Sequence, residues 1–190
     1  MKKNITKPVI VIEHLESEVH EWCKLEYEQA SKYVPDGLLM ITNCSEKLWF
    51  AQCTERRAAD VVDPKRTIVL DPTAENVLTP EDLNNFDYFV VGGILGEEAF
   101  NGRTGTELTS TIEGAQLRNI GPKQLCIDGA VYVVMKILGG DRLESIDFAD
   151  ELEVEFGENE SVVLPYRYPV VDGHPLINPK LIEYLRDQDF

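Results

Sequence analysis

The stretch Phe86-Asp87-Tyr88-Phe89-Val90-Val91-Gly92-Gly93-Ile94-Leu95-Gly96 decides how this chain is read. Phe86 to Val91 is a short run of aromatic and β-branched side chains, and it reads as a buried strand. It runs straight into glycines, where missing side chains let backbone N–H and C=O groups approach a ligand closely. The glycine spacing is not that of a dinucleotide fingerprint, and no Gly-Lys-Ser/Thr follows, which excludes a phosphate loop. Taken alone, the segment is as good a tight strand-end turn as a ligand loop.

Working outward, the same grammar repeats. Val9 to Ile12 is a β-branched run ending in Glu13-His14, Leu38 to Thr42 is a second strand, and Thr67 to Leu70 is a third, closed by Asp71-Pro72. A further short strand is expected around Gln116 to Asn119. Between the strands, Val19, Trp22, Cys23, Ala30, Tyr33 and Val34 form a helical stripe with Ser17 as its expected N-cap. A second helix is expected from Ser45 to Ala59, and a short one opens at Thr79-Pro80. Lys123 to Leu138 predicts a helix that is apolar nearly all round, hence buried, and Gly139-Gly140 ends it.

Strands and helices alternating in this way give an α/β fold, a mostly parallel sheet with helices on both faces. Its ligands belong beyond the carboxyl ends of the strands, which here carry Glu13, Asn43, Asp71 and Gly92. Further on, Leu152, Val154 and Phe156 alternate with glutamates in a half-exposed strand, Val162 to Val171 forms another, and Pro179 to Arg186 a last helix. The 190 residues are read as one domain, 1–190, with 141–190 a C-terminal extension of it.

An apolar fraction of 43% with 27% charged residues fits a globular chain and excludes disordered and fibrous classes. No apolar run reaches the ~18 residues of a membrane span, and Glu13 interrupts any signal-peptide core, so a cytoplasmic protein with no membrane partner is expected. The four cysteines have no C-x-x-C pair and the three histidines lack helical metal spacing, so no metal is implied. With 34 acidic against 18 basic side chains the net charge is -16, which disfavours nucleic acid and favours a basic protein as partner. Nine acids against Arg142 alone between Asp141 and Glu160 form either a solvated face or a docking surface for such a partner.

Two carboxylates fall where a core should be. Glu26 lies on the inward stripe of the first helix, and Asp128 interrupts the buried one. A buried carboxylate is costly unless paired, so each carries either a structural hydrogen bond or a perturbed catalytic role. Asn119-Ile120-Gly121-Pro122-Lys123 is a second glycine turn, read either as a plain connection or as backbone presented to a ligand.

Ile12-Glu13-His14-Leu15-Glu16, Glu21-Trp22, Leu25-Glu26-Tyr27, Leu70-Asp71-Pro72 and the opening FDYFVVGGILG run resemble those of the SPOUT-class protein-arginine methyltransferases of eukaryotes and their archaeal relatives. Arg103-Thr104, Glu107-Leu108, Lys123-Gln124, Asp128 and Pro165-Tyr166-Arg167-Tyr168 are similar too, so the resemblance covers nearly the whole chain. It implies a sheet whose C-terminal half is tied in a trefoil knot. It also implies S-adenosylmethionine as cofactor, held by Asp71, Pro72, Gly92, Gly93, Ile94, Leu95 and Gly96 together with Asn119, Ile120, Gly121, Lys123, Gln124 and Leu125. Glu97 stands where the family carries Asp, and Ala99-Phe100 where it carries prolines.

The implied reaction is methyl transfer to an arginine of a basic, small-subunit ribosomal protein. A guanidinium must be held by carboxylates and relieved of a proton, for which Glu13, Glu26, Glu97 and Asp128 are the candidates. Glu13 and Glu26 are expected to converge over the donor pocket. His14, Trp22 and Arg103 are the implied substrate contacts. RNA methylation, common in the class, and a non-catalytic binding module that recruits ribosomal proteins are the alternatives. Both a monomer and a homodimer are compatible with the sequence.

Overall fold

The computed structural model describes residues 8–95, 102–157 and 160–188. Its centre is a six-stranded parallel sheet of β1 (Val9–His14), β2 (Leu39–Thr42), β3 (Gln52–Cys53), β4 (Thr67–Leu70), β5 (Tyr88–Gly93) and β6 (Gln116–Arg118). The strand order is β3-β2-β1-β5-β4-β6, so the opening run becomes a central strand between β1 and β4. A central parallel strand is covered on both faces and needs the unbroken apolar run that Phe89, Val90 and Val91 supply.

Alternate residues of these strands feed two cores. Ile10, Ile12, Ile68, Phe89 and Val91 pack under α1 (Glu21–Ser31) and α3 (Ile127–Leu138). Val9, Val11, Val69 and Val90 face the other way, against Ala58 of α2 (Ala58–Val61) and Leu108, the last residue of a π-helical turn at Thr104–Leu108. The expected α/β class with helices on both faces is therefore what the chain forms.

Several expected boundaries shift. Helix α1 begins at Glu21 after His20, which offers no side-chain cap, and Ser17 lies outside it. The helix expected from Ser45 to Ala59 is replaced by β3 and the four-residue α2. Helix α3 starts at Ile127 rather than Lys123, because Arg167 N–H donates to Gln124 O at 2.8 Å and Leu125 bridges Arg167 in parallel, which holds residues 124–125 extended. The turn at Thr79 is as expected, with a capping box between Thr79 and Asp82.

The C-terminal extension forms β7 (Phe148–Ala149), the hairpin β8 (Leu152–Gly157) and β9 (Glu160–Leu164), then β10 (Tyr168–Val171), β11 (His174–Pro175) and α4 (Pro179–Arg186). The single strand expected over Val162 to Val171 is split at Pro165, which cannot donate to a ladder. Val154, Leu164, Tyr168, Leu181 and Leu185 make a third core that closes on Leu25 of α1 and Cys126. Asn178 ties the two parts together, donating to Leu25 O at 2.8 Å while its carbonyl caps α4.

Candidate functional site

At the carboxyl ends of β4 and β5 lies a cavity with about 680 Å³ of empty space, part of it open to solvent. Leu70, Asp71, Pro72, Val91, Gly92 and Ile94 form its sheet side. Ile120, Gly121, Lys123, Gln124 and Leu125 form the opposite wall, and Arg103, Thr104 and Ala130 complete it. The two glycine turns thus meet across one space.

Each wall is fixed by its own bonds. Asp71 is buried and accepts from Thr73 N at 2.9 Å, Thr73 Oγ1 at 2.7 Å and Thr109 Oγ1 at 2.6 Å. Burial alone would raise its pKa, but these hydrogen bonds outweigh it and hold the carboxyl below its ordinary value. Asn119 lies behind the wall, donating to Ala74 O at 2.8 Å and accepting from Gly121 N at 3.1 Å. Gly121 has φ of +107°, a conformation L side chains avoid. A Cβ there would also stand 3.3 Å from the guanidinium of Arg167. That guanidinium lies 3.9 Å from the Phe148 ring centroid and pairs with Asp150, which also binds Lys123 at 2.6 Å. The extension therefore braces the second glycine loop from outside.

A second cavity, with about 540 Å³ of empty space, adjoins the first and shares Ile94 and Leu125 with it. Trp22, Leu95, Cys126 and Tyr166 form its walls, and Glu26 is its charged group. Glu26 is only 3% exposed. One carboxylate oxygen accepts from Trp22 Nε1 at 2.7 Å and the other from Ile127 N, at the start of α3, at 2.8 Å. Burial first, and then the nearby charge of Asp128, push its pKa upward, although both donors pull the other way. Asp128 is raised as well, by burial, against the hydrogen bond from the Cys126 thiol and the backbone donors of the helix start.

The expected site residues thus divide. Asp71, Pro72, Gly92, Ile94, Ile120, Gly121, Lys123, Gln124 and Leu125 share the first cavity, and Arg103, an expected substrate contact, joins them there. Leu95, Trp22 and Glu26 belong to the second. Gly96 and Glu97 lie outside the described residues. Asp128 sits behind Cys126 on neither lining, and Asn119 supports from the rear.

Three expectations are corrected. Gly93 does not face the cavity, because a Cβ there would point at Tyr27 Oη and the backbone of β1. His14 is buried against Tyr27, with Nδ1 2.8 Å from the hydroxyl, and lines neither cavity. Glu13 and Glu26 do not converge. Along β1, Glu13 shares the face of Val9 and Val11, whereas α1 covers the face of Ile10 and Ile12. Glu13 binds Arg57 Nε at 2.9 Å, Ala58 N at 2.8 Å and the hydroxyl of Thr42, which makes it the buttress of α2. Glu13→Gln places an amide hydrogen among these donors and is expected to lower stability by about 1–3 kcal/mol. Turnover per folded molecule should stay at the parent level, as denaturant titration beside a methyl-transfer assay would show.

Residues missed in the sequence include Leu70, Val91, Thr104 and Ala130, all apolar or small wall residues with no chemical signature, and Tyr166. Among the described residues no group of His, Cys, Asp and Glu is placed to hold a metal. None of their helices is long and apolar enough to cross a membrane.

Residues 9–189 match the family model described as SFM1-like protein arginine N-methyltransferase. Protein arginine N-methyltransferase SFM1 of Saccharomyces cerevisiae is 29% identical over 199 residues, spanning 93% of each chain. The crystal structure of yeast SFM1 complexed with SAM superimposes with a TM-score of 0.87 at 27% identity, covering 97% of this chain and 92% of that one. The SAH complex gives 0.84 at 28% identity, with 93% and 94% covered. Dual-specific Trm10 from Thermococcus kodakaraensis, 16% identical with a TM-score of 0.55 over 73% of this chain and 96% of its own, shares the fold.

Proposed function

The chain belongs to the SFM1-like protein arginine N-methyltransferase family, and on that premise we propose that it transfers a methyl group from S-adenosylmethionine to an arginine of a basic protein, a protein of the small ribosomal subunit. The same proposal includes a C-terminal half of the sheet threaded as in the SPOUT class. The observation that carries it is the second cavity, with a buried carboxylate inside and the first cavity beside it.

The first cavity fits the donor. Leu70, Val91, Ile120 and Leu125 offer apolar wall, and Gly92 and Gly121 leave backbone open to close approach. S-adenosylmethionine supplies a methyl group on a positively charged sulfur. The protein's own work is to hold the acceptor and manage its proton.

An arginine side chain has a long apolar stem and a planar charged fork. Trp22, Ile94, Leu95 and Leu125 suit the stem, and Glu26 suits the fork. Each oxygen of a carboxylate has two lone-pair sites, and one on each is already used, by Trp22 and Ile127. One site per oxygen remains, which matches the two parallel donors of a guanidinium and fits a single-point ammonium poorly. The same carboxylate, made more basic by burial, accepts the proton that the arginine nitrogen must lose. A net charge of -16 supports a basic protein over a polyphosphate.

Calorimetry with S-adenosylmethionine and S-adenosylhomocysteine should show one site each. Either ligand at a hundredfold excess over its Kd should add about 2.7 kcal/mol of stability. Isotope-labelled donor with purified small-subunit ribosomal proteins and, separately, ribosomal RNA should then leave label on protein arginine. Label on RNA, or none on either, overturns the reading.

A further inference from the structure

Glu16 belongs to neither cavity lining, yet one of its oxygens touches the walls of both. Oε1 accepts from Leu95 N at 2.9 Å and from Arg103 Nη1 at 3.0 Å. Leu95 is a wall of the second cavity and Arg103 a wall of the first. Ile94, which both cavities share, is bonded directly to Leu95. We propose that Glu16 is a positioning residue for methyl transfer, a single carboxylate that locks the donor and acceptor cavities into one register through Leu95 and Arg103.

The geometry is specific on both sides. Arg103 also donates from Nη2 to Leu15 O at 3.1 Å, and to both oxygens of Glu107, from Nε at 2.8 Å and Nη2 at 3.2 Å. Its guanidinium therefore stays anchored when Glu16 is altered. Leu95 N has the glutamate as its partner, so the wall between the cavities depends on that bond. The side chain of Glu16 is 17% exposed, low enough for the charge-assisted bonds to escape most solvent screening. Near-attack reactions are sensitive to small displacements: a shift of about 1 Å can cost roughly a hundredfold in rate.

The inference rests on the assignment of donor and acceptor to the two cavities, and its test separates the two. Parent enzyme is first shown to bind donor and methylate its protein substrate, and a failure there removes the functional reading itself. Glu16→Leu then removes both bonds, while Glu16→Gln keeps an oxygen for Leu95 N and removes the charge opposite Arg103. Glu16→Leu should lose about a hundredfold in kcat and Glu16→Gln about tenfold, graded with the bonds kept. Donor Kd by calorimetry and KM for the protein substrate should each stay within about threefold of the parent. A merely structural glutamate would change the thermal midpoint and leave kcat per folded molecule alone. Should Glu16→Leu fail to fold, the glutamine variant decides. The proposal is overturned if kcat stays within about threefold in the folded variants, or if donor Kd weakens by as much as kcat falls.

Discussion

Glu26→Gln is expected to lower the rate of methyl transfer by about two orders of magnitude or more while donor affinity stays at the parent value. The glutamine has one oxygen where the carboxylate has two, so either Trp22 Nε1 or Ile127 N loses its acceptor. That loss is offset because burial penalises ionisation of the carboxyl and the neutral amide carries no such penalty, so the variant should stay folded. The rate is read from label incorporated into the protein substrate, and donor binding from calorimetry. A parental rate in a folded variant would move the acceptor's proton to another group. The pH profile gives an independent check. Burial and Asp128 raise the pKa of Glu26, so the parent rate should climb with pH through a range above that of ordinary carboxylates. The variant should lack that limb. Stability follows the opposite course. Glu26 and Asp128 both have folded pKa values raised above the unfolded ones, so their contribution is complete below the unfolded pKa and is lost as pH rises through the folded values.

Gly93→Val should strongly destabilise the fold itself. A Cβ at this position would stand 2.7 Å from Tyr27 Oη, 2.9 Å from Glu13 O and 3.0 Å from Ile12 Cγ2. The carbonyl belongs to β1, which pairs β5 along its whole length and cannot retreat. Overpacking of this kind costs about 1–3 kcal/mol for extra methylenes and more where backbone is struck, against a total stability of about 5–15 kcal/mol. The thermal midpoint followed by far-ultraviolet circular dichroism and the soluble yield should both fall sharply. Gly92→Ala is the contrast, since its Cβ would meet the movable end of Ile94, a cavity wall, at 3.3 Å and the side chain of Leu108 at 3.8 Å. That variant should fold and bind donor more weakly. If Gly93→Val folds and loses donor alone, the glycine faces the cofactor after all.

The two neighbouring glycines show what the sequence can and cannot carry. That a glycine turn follows a buried strand is legible in FDYFVVGG, but which glycine faces the ligand depends on what covers each side of β5. The same parity separates Glu13 from Glu26. Placing Glu13 with Val9 and Val11 is simple alternation, yet only the packing of α2 through Arg57 and Ala58 shows that this face is not the one α1 covers. Strands β1, β4 and β5 are readable because each carries a β-branched run bounded by turn residues. Ser45 to Ala59 misleads because β3 forms through pairing with β2, a partner contributed from elsewhere in the chain. The second cavity has no local signature at all, since Trp22 and Tyr166 come from opposite ends of the sequence. Glu26 alone announces itself, as a charge on an apolar stripe.

The brace on the second glycine loop also sets an order of events during biosynthesis. All six strands of the parallel sheet have been made once Arg118 is in place, but Lys123 waits for Asp150, and Gln124 and Leu125 wait for Arg167. A chain emerging amino terminus first therefore carries every strand of its central sheet before the residues that lock the outer loop have been made. Closure of the second glycine loop is thus a late event in translation, and a message cut short before residue 167 would lack the partner that holds Gln124 and Leu125 extended.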